Sequence, residues 1–467
     1  MAIAILSVGY LYPDEHFQIL EFAALKLNLT QKENLPWEFH YQMRPSIQPL
    51  MVVLTHKFTG FFGTQNPFSI TSFLRVLSAT VSFLGMWLMY SVYSHEIRND
   101  ILQKWFLYLS FLLWFAIYNN VRFSSETWSG SIFIIAYSYF LARQPEKPKL
   151  CFLITGLLLG FSFVFRYQAA LLIAGLFCWC VFIRKERLVH LLLMSLGITI
   201  SILIGIIIDR WFYGVWTFTA WNYFQQNILL DKVSGFGVEP WYFYFEDVFI
   251  RAIPPFSLVY ILSFLILFIF KRKDPLTWII MPYLLFHFFI GHKETRFLFP
   301  LIGFVPIIVI KAIEATSYKL GKDITENAFL HFFAKVFWIF NLIFLLLCAF
   351  NPADNQIYLF KKIYTDYPSR TTLYYKEENP YRRALDIGYY KRADLAIKRV
   401  ASWNQVTNDP SGIKLIVTRK KDPADLFIMN KKLIYSSYPE WIRKFNINNW
   451  VDRTNFWYLY EIPDSRR

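Results

Sequence analysis

The sequence predicts an all-α, polytopic membrane protein with a small α/β domain outside the membrane at its C-terminal end. Three observations carry this. Hydrophobic residues make up 55% of the 467 residues against 17% charged, with a mean hydropathy of +0.33, a balance too apolar for an ordinary soluble chain. Apolar runs recur near 69–93, 105–118, 128–142, 150–165, 168–183, 189–208, 253–270, 276–290, 297–313 and 336–350, and with the N-terminal segment they make about eleven crossings. After residue 350 the pattern changes to short strand-like runs.

Met1 to Leu11 is apolar but only about half as long as a ~30 Å hydrocarbon core requires at ~1.5 Å per residue. An upstream start is therefore expected in preference to a first helix partly cut into the interface, and also to a cleaved signal peptide, which would show a charged n-region and a small-residue cleavage site. Residues 12–67 form the first large polar loop, with an amphipathic helix predicted over Phe17–Leu27 that lines up Phe17, Leu20, Ala24 and Leu27. Orientation follows from the basic loops. Arg98/Lys104, Arg143/Lys147/Lys149, Arg184/Lys185/Arg187, Lys271/Arg272/Lys273 and Lys319/Lys322 fall on alternate connections, which makes that side cytoplasmic. The opposite side then receives 12–67, the turns at Arg122 and Arg166, the loop 209–251, the turn Gly291–Pro300 and the tail. The expected organisation is a membrane domain over 1–350 and a non-membrane domain over 351–467. In the latter, Ile413–Thr418, Leu426–Met429 and Phe456–Ile462 read as strands and Tyr381–Trp403 as helical.

The net charge of +15 comes from 48 Lys and Arg against 33 Asp and Glu. These bases sit mainly in short loops and the tail, so anionic lipid and topology account for them and no nucleic-acid partner is expected. Cys151, Cys178, Cys180 and Cys348 lie in apolar stretches without ligand spacing, and no metal site is expected.

Four stretches could carry chemistry on the outer side. Tyr12–Gln18 places Asp14, Glu15 and His16 directly after a crossing; a helix N-terminus accounts for the acids, and a general base for an acceptor hydroxyl is the functional alternative. Leu35–Leu50 alternates Trp37, Phe39 and Tyr41 with Glu38, His40 and Arg44, which suits either interfacial anchoring or stacking on sugar rings. The loop Phe218–Phe245 carries Asn222, Gly235, Gly237 and Trp241, again either an interfacial hairpin or a binding loop. Finally His292-Lys293-Glu294-Thr295-Arg296 sits between two apolar runs. Snorkelling explains single bases there, whereas a fork, a point charge and an imidazole together suit a phosphate.

The order PDEHFQ, WEF with Arg44-Pro45-Ser46, WNYF with SGFGVEPWYFYF, and HKETRFLFP closely resembles the Alg9-like mannosyltransferases over about residues 10–310. HKETRFLFP and PDEHFQ are the most specific elements. The resemblance implies a GT-C fold of family 22 and an inverting transfer of mannose from a polyprenyl- or dolichyl-phosphate donor to a glycan or glycolipid hydroxyl, without a cofactor or metal. It implies Asp14 or Glu15 as base, with Asp14 preferred, and His292, Lys293 and Arg296 at the donor phosphate. His16, Trp37, Glu38, Arg44, Arg166, Asn222 and Trp241 would line the sugar or acceptor pocket. Two departures, Glu239-Pro240-Trp241-Tyr242-Phe243-Tyr244 in place of a histidine-rich segment and Pro45 between Arg44 and Ser46, keep another lipid-phosphate-linked sugar open. A lipid-linked sugar transporter is the alternative of a different class. Compact loops point to a bacterial member, with its site at the periplasmic face of the inner membrane; a eukaryotic member would face the endoplasmic reticulum lumen.

Overall fold

A computed structural model describes residues 1–142, 147–367, 370–407, 409, 412–421, 423, 431–446, 454 and 456–462. The chain divides into two compact units: Met1–Ile5, Trp37–Met51 and Phe73–Asn351 form the first, and Leu6–Pro36, Val52–Ser72 and Pro352–Arg467 the second. The second unit thus takes in the tail after residue 351 together with most of the first loop.

The first unit is a helical bundle. Among the described residues, five helices are long and apolar enough to cross a membrane: Pro67–Tyr93, Pro148–Phe165, Leu188–Tyr213, Thr295–Leu320 and the one starting at Ala328; the pair Asp100–Leu112 and Trp114–Asn120, bent by 42°, makes a sixth. Ala169–Phe182, Phe256–Phe270 and Pro275–Phe289 are apolar but have 14 or 15 residues, shorter than the ~20 that a straight crossing takes. The N-terminal run closes as Ala2–Leu6. Counting apolar runs therefore overstates the helices that meet the length of a crossing.

Small residues set the helix spacing. A Cβ on Gly156 or Gly160 would collide with the backbone of Met194 or Ile198, and one on Gly197 with the carbonyl of Leu153. Pro148–Phe165 and Leu188–Tyr213 thus approach backbone to backbone, as small-residue stripes allow in membranes. Gly130 plays the same part at a second crossing, where an added Cβ would lie 2.7 Å from Pro300 Cα. That contact seats the helix Ser125–Leu141 on the 3-10 segment Thr295–Phe304.

The second unit contains a five-stranded mixed sheet in the order β2-β1-β3-β5-β4: β1 Thr371–Tyr375, β2 Ala396–Arg399, β3 Ile413–Thr418, β4 Lys432–Ser436 and β5 Tyr458–Ile462. β1 pairs in parallel with β2 and β3, while β5 is antiparallel to β3 and β4. Two expected strands are thus present as β3 and β5; Leu426–Met429, like Arg143 of the basic loops, lies outside the described residues. Tyr381–Trp403 is not helical. It runs as turns into β2: the backbone N–H groups of Gly388 and Tyr389 bond the Glu21 carboxylate at 2.9 and 3.0 Å and residues 396–399 pair with β1, so tertiary partners override helix propensity at these positions. Glu21 lies on the expected amphipathic helix, which extends from Pro13 to Lys26 with a π-helical turn at His16–Leu20.

Candidate functional site

In the first unit the bundle gathers charged side chains that the sequence separates by more than two hundred residues. Arg44 Nη2 lies 3.4 Å from Glu38 Oε1, and its guanidinium faces the Tyr223 ring at 5.5 Å. Gln168 Nε2 donates to the Tyr223 hydroxyl at 2.8 Å. Two residues earlier, at the C-terminal end of Pro148–Phe165, Arg166 Nη1 is 3.2 Å from Glu126 Oε1 and donates to Ser125 Oγ at 3.3 Å. The Arg166 guanidinium also stands over the Phe297 ring at 5.7 Å, and Arg296 approaches the same ring at 5.6 Å. Arg296 Nη2 donates to Glu294 Oε1 at 2.7 Å. Each arginine thus lies beside a carboxylate, and the Phe297 ring faces two of them, an arrangement in which aromatic faces stabilise cations withdrawn from water.

Neighbouring residues fix this layer. Asp209, 4% exposed, accepts the Ser46 backbone N–H at 2.8 Å and the Thr219 hydroxyl at 2.6 Å, while Tyr213 donates to the Arg44 carbonyl at 2.8 Å. Arg44-Pro45-Ser46 is therefore pinned by its backbone, which leaves the Arg44 side chain to Glu38 and Tyr223. Asn222 donates to the Gln42 carbonyl at 3.1 Å and Thr217 Oγ1 at 3.0 Å, tying the segment after Leu188–Tyr213 to the Trp37–His40 helix. Trp37 stacks on Phe236 at 5.9 Å beside Lys232, whose ammonium lies 3.7 Å from the Tyr41 ring centroid. Trp241 is on the surface, 63% exposed.

The turn before Arg296 is built inward. Lys293 Nζ donates to the carbonyls of Glu239 at 2.8 Å and Ile290 at 2.5 Å, and burial lowers its pKa from the ordinary lysine value. Its charge frames the turn by satisfying carbonyls that lack ladder partners. His292 bridges the Gly237 carbonyl at 3.0 Å and Glu294 Oε1 at 3.1 Å. With Glu239 N–H donating to the Gly291 carbonyl at 2.9 Å, these bonds fasten the glycine loop to the basic turn. Tyr283 closes the arrangement from beneath, its hydroxyl donating to the Phe297 carbonyl at 2.5 Å.

In the second unit, Asp14 and Glu15 start the helix at Pro13 and differ in their surroundings. Glu15 Oε1 accepts the backbone N–H groups of Leu11 at 3.2 Å and Tyr12 at 3.3 Å, so it caps its own helix start. Asp14 is partly exposed. His16 is completely buried and its Nε2 lies 2.8 Å from Glu21 Oε1; it forms part of the packing and does not line an open pocket as the sequence led us to expect.

Of the residues brought together in this layer, the sequence singles out Glu38, Arg44, Arg166 and Arg296 but not Glu126, Phe297, Tyr223 or Asp209. Glu126 follows the Ser124 N-cap, whose hydroxyl accepts the Thr127 N–H at 3.2 Å, so in sequence it reads as an ordinary first-turn acid. Phe297 is hidden among the apolar residues of RFLFP.

The several apolar helices and this polar layer define an integral, multi-pass membrane protein of GT-C type. The solved structure of ArnT from Cupriavidus metallidurans bound to undecaprenyl phosphate has the same fold, with a TM-score of 0.53 over 99% of this chain and 96% of that one at 9% identity. The chain belongs to the Alg9-like mannosyltransferase family, which it matches over residues 1–380. Curated relatives include GPI alpha-1,2-mannosyltransferase 3 of Xenopus laevis, 26% identical over 62% of this chain and 54% of that protein. The enzyme of the same name from Homo sapiens is 25% identical over 62% and 52%, and Mannosyltransferase APTG1 of Arabidopsis thaliana 24% identical over 66% and 55%. The matched part of the chain spans about half the length of these relatives.

Proposed function

We propose that this chain is an inverting glycosyltransferase that moves a sugar, mannose in the favoured form, from a polyprenyl- or dolichyl-phosphate donor to a hydroxyl of a glycan or glycolipid acceptor on the outer or lumenal face of the membrane. The observation that supports it most is the set of three arginines, Arg44, Arg166 and Arg296, each beside a carboxylate and joined through Tyr223, Gln168 and Phe297. Asp14 serves as general base: it takes the proton of the acceptor hydroxyl, whose oxygen attacks the anomeric carbon while the bond from that carbon to the phosphate oxygen breaks. The departing lipid phosphate keeps the electron pair, and Arg296 and Arg166 take up its charge in place of a metal ion. One displacement inverts the anomeric centre, so a single base suffices. Glu15 is left to its helix cap, and Lys293 and His292 hold the turn in register.

The test uses purified protein with short-chain polyprenyl-phosphate mannose, glucose and galactose as separate donors and an alkyl mannoside as acceptor. Asp14→Asn is expected to lose several orders of magnitude in turnover with donor binding retained, Arg296→Ala to weaken donor binding, and Glu15→Gln to lose stability more than rate. Transfer at the wild-type rate by Asp14→Asn removes the base assignment. Absence of transfer by the wild type with all three donors removes the transferase reading.

A further inference from the structure

We propose that His16 and Glu21 are positioning residues through which the C-terminal segment around Gly388–Tyr390 sets the acidic turn Pro13–Glu15, a proposal that rests on Asp14 as the base. Both side chains are fully buried, where an unmatched charge is expensive. Glu21 Oε1 meets His16 Nε2 at 2.8 Å and the N–H groups of Gly388 and Tyr389 at 2.9 and 3.0 Å. One carboxylate oxygen therefore joins the helix that begins at the acidic turn to a backbone more than three hundred residues later.

The local backbone explains how two residues five apart reach the same partner. In an α-helix, positions i and i+5 point about 140° apart. Here the turn His16–Leu20 is π-helical, with the Glu21 N–H bonded to the His16 carbonyl, and the wider turn brings His16 and Glu21 to one side. Such single π-turns inside α-helices recur at functional sites. The tail supplies its half through Gly388: a Cβ there would lie 2.9 Å from the Leu29 carbonyl oxygen and 3.2 Å from Glu21 Oε2, so only glycine lets the tail backbone reach the carboxylate.

The same contacts bracket the catalytic turn. The His16 ring lies between Tyr10 at 5.4 Å and Tyr390 at 5.5 Å, with interplanar angles of 23° and 11°. Tyr10 and His16 flank residues 11–15, so their stacking closes a short loop around Asp14, and the Tyr10 hydroxyl accepts from Arg383. Arg383 is in turn fixed by Asp354 at 2.7 Å and Gln356 at 2.6 Å. Both ends of the five-residue loop are thus held by tail residues, and the carboxylate between them inherits that geometry.

The experiment is a coupling test on the full-length enzyme in the transfer assay above, with rates expressed per mole of monodisperse protein. Gly388→Ala perturbs the latch from the tail and Glu21→Ala from the helix. Each is expected to lower kcat about 10- to 100-fold, the scale of a ~1 Å misplacement of a catalytic group, with the donor KM unchanged within about twofold. Glu21→Gln, which keeps an acceptor for the two N–H groups, should recover part of the loss. In the Asp14→Asn background the latch variants should lower the residual rate no further, because a positioning effect disappears with the group it positions, whereas a general structural loss adds. Wild-type kcat in either folded single variant, or additive losses with Asp14→Asn, overturns the proposal while leaving the base assignment intact. Full activity in Asp14→Asn itself defeats the parent reading instead. If Glu21→Ala does not yield folded protein, Gly388→Ala and Glu21→Gln carry the test alone.

Discussion

Replacing Phe297 with leucine separates its role as a cation-bearing face from its role as apolar filling. Leucine keeps the backbone, including the carbonyl that receives the Tyr283 hydroxyl at 2.5 Å, and most of the side-chain volume; it removes the π face between Arg166 at 5.7 Å and Arg296 at 5.6 Å. A cation–π contact contributes roughly 0.5–1 kcal/mol when exposed and about 2 kcal/mol when desolvated. Both guanidiniums are buried but stand near the outer limit of useful distance, so a combined loss of about 1–2 kcal/mol is expected. At ~1.4 kcal/mol per decade, donor affinity should fall roughly 5- to 30-fold. The assay is equilibrium binding of a fluorescent short-chain polyprenyl-phosphate sugar to detergent-purified protein, with Arg296→Ala and Arg166→Ala in parallel. Unchanged affinity in Phe297→Leu alongside losses in both arginine variants would refute the idea that the ring organises them.

Two further outcomes follow from the packing. Gly130→Val forces a branched side chain against Pro300, where even a Cβ would sit 2.7 Å from the backbone; a loss of at least about 1–3 kcal/mol is expected, read as a lower melting temperature and a weaker donor site, because the Glu126 helix is seated by that contact. Lys293→Met leaves the carbonyls of Glu239 and Ile290 without the ammonium that bonds them at 2.8 and 2.5 Å, at a cost of about 1–3 kcal/mol. Thermal unfolding should register it, whereas donor affinity per folded molecule should stay within about threefold; a large specific loss of affinity would return Lys293 to direct phosphate contact.

Much of this was legible in the chain, and the rest fails for definite reasons. Apolar runs mark the helices because hydropathy is a local property, yet whether a run of 14 or 15 residues crosses depends on its neighbours. Arg44, Arg166 and Arg296 stand out because they fall on the side opposite the basic loops, against the positive-inside bias. Which way a side chain points is not encoded in its type: Lys293 and His16 look like open site residues, and both are turned inward, Lys293 by the carbonyls of Glu239 and Ile290 and His16 by Glu21 and Tyr390. Glu126 and Phe297 were passed over for the opposite reason, since their local surroundings already account for them as a first-turn acid and an apolar residue. The tail resisted most: within Tyr381–Trp403 the N–H groups of Gly388 and Tyr389 bond Glu21 and residues 396–399 pair with β1, partners that no window of local sequence contains.

The bond between Glu21 and Gly388 spans 367 positions of chain, and that separation bears on how the protein is made. At ~5–20 residues per second, the stretch between them takes roughly 20–70 s to synthesise, during which the acidic turn has none of the tail partners that hold it. The turn is completed only after Gly388 and Tyr389 have been made, because their N–H groups are the ones that bond Glu21. A chain that stops short of Gly388 would therefore present residues 11–15 without the bond that the Gly388 N–H makes to Glu21.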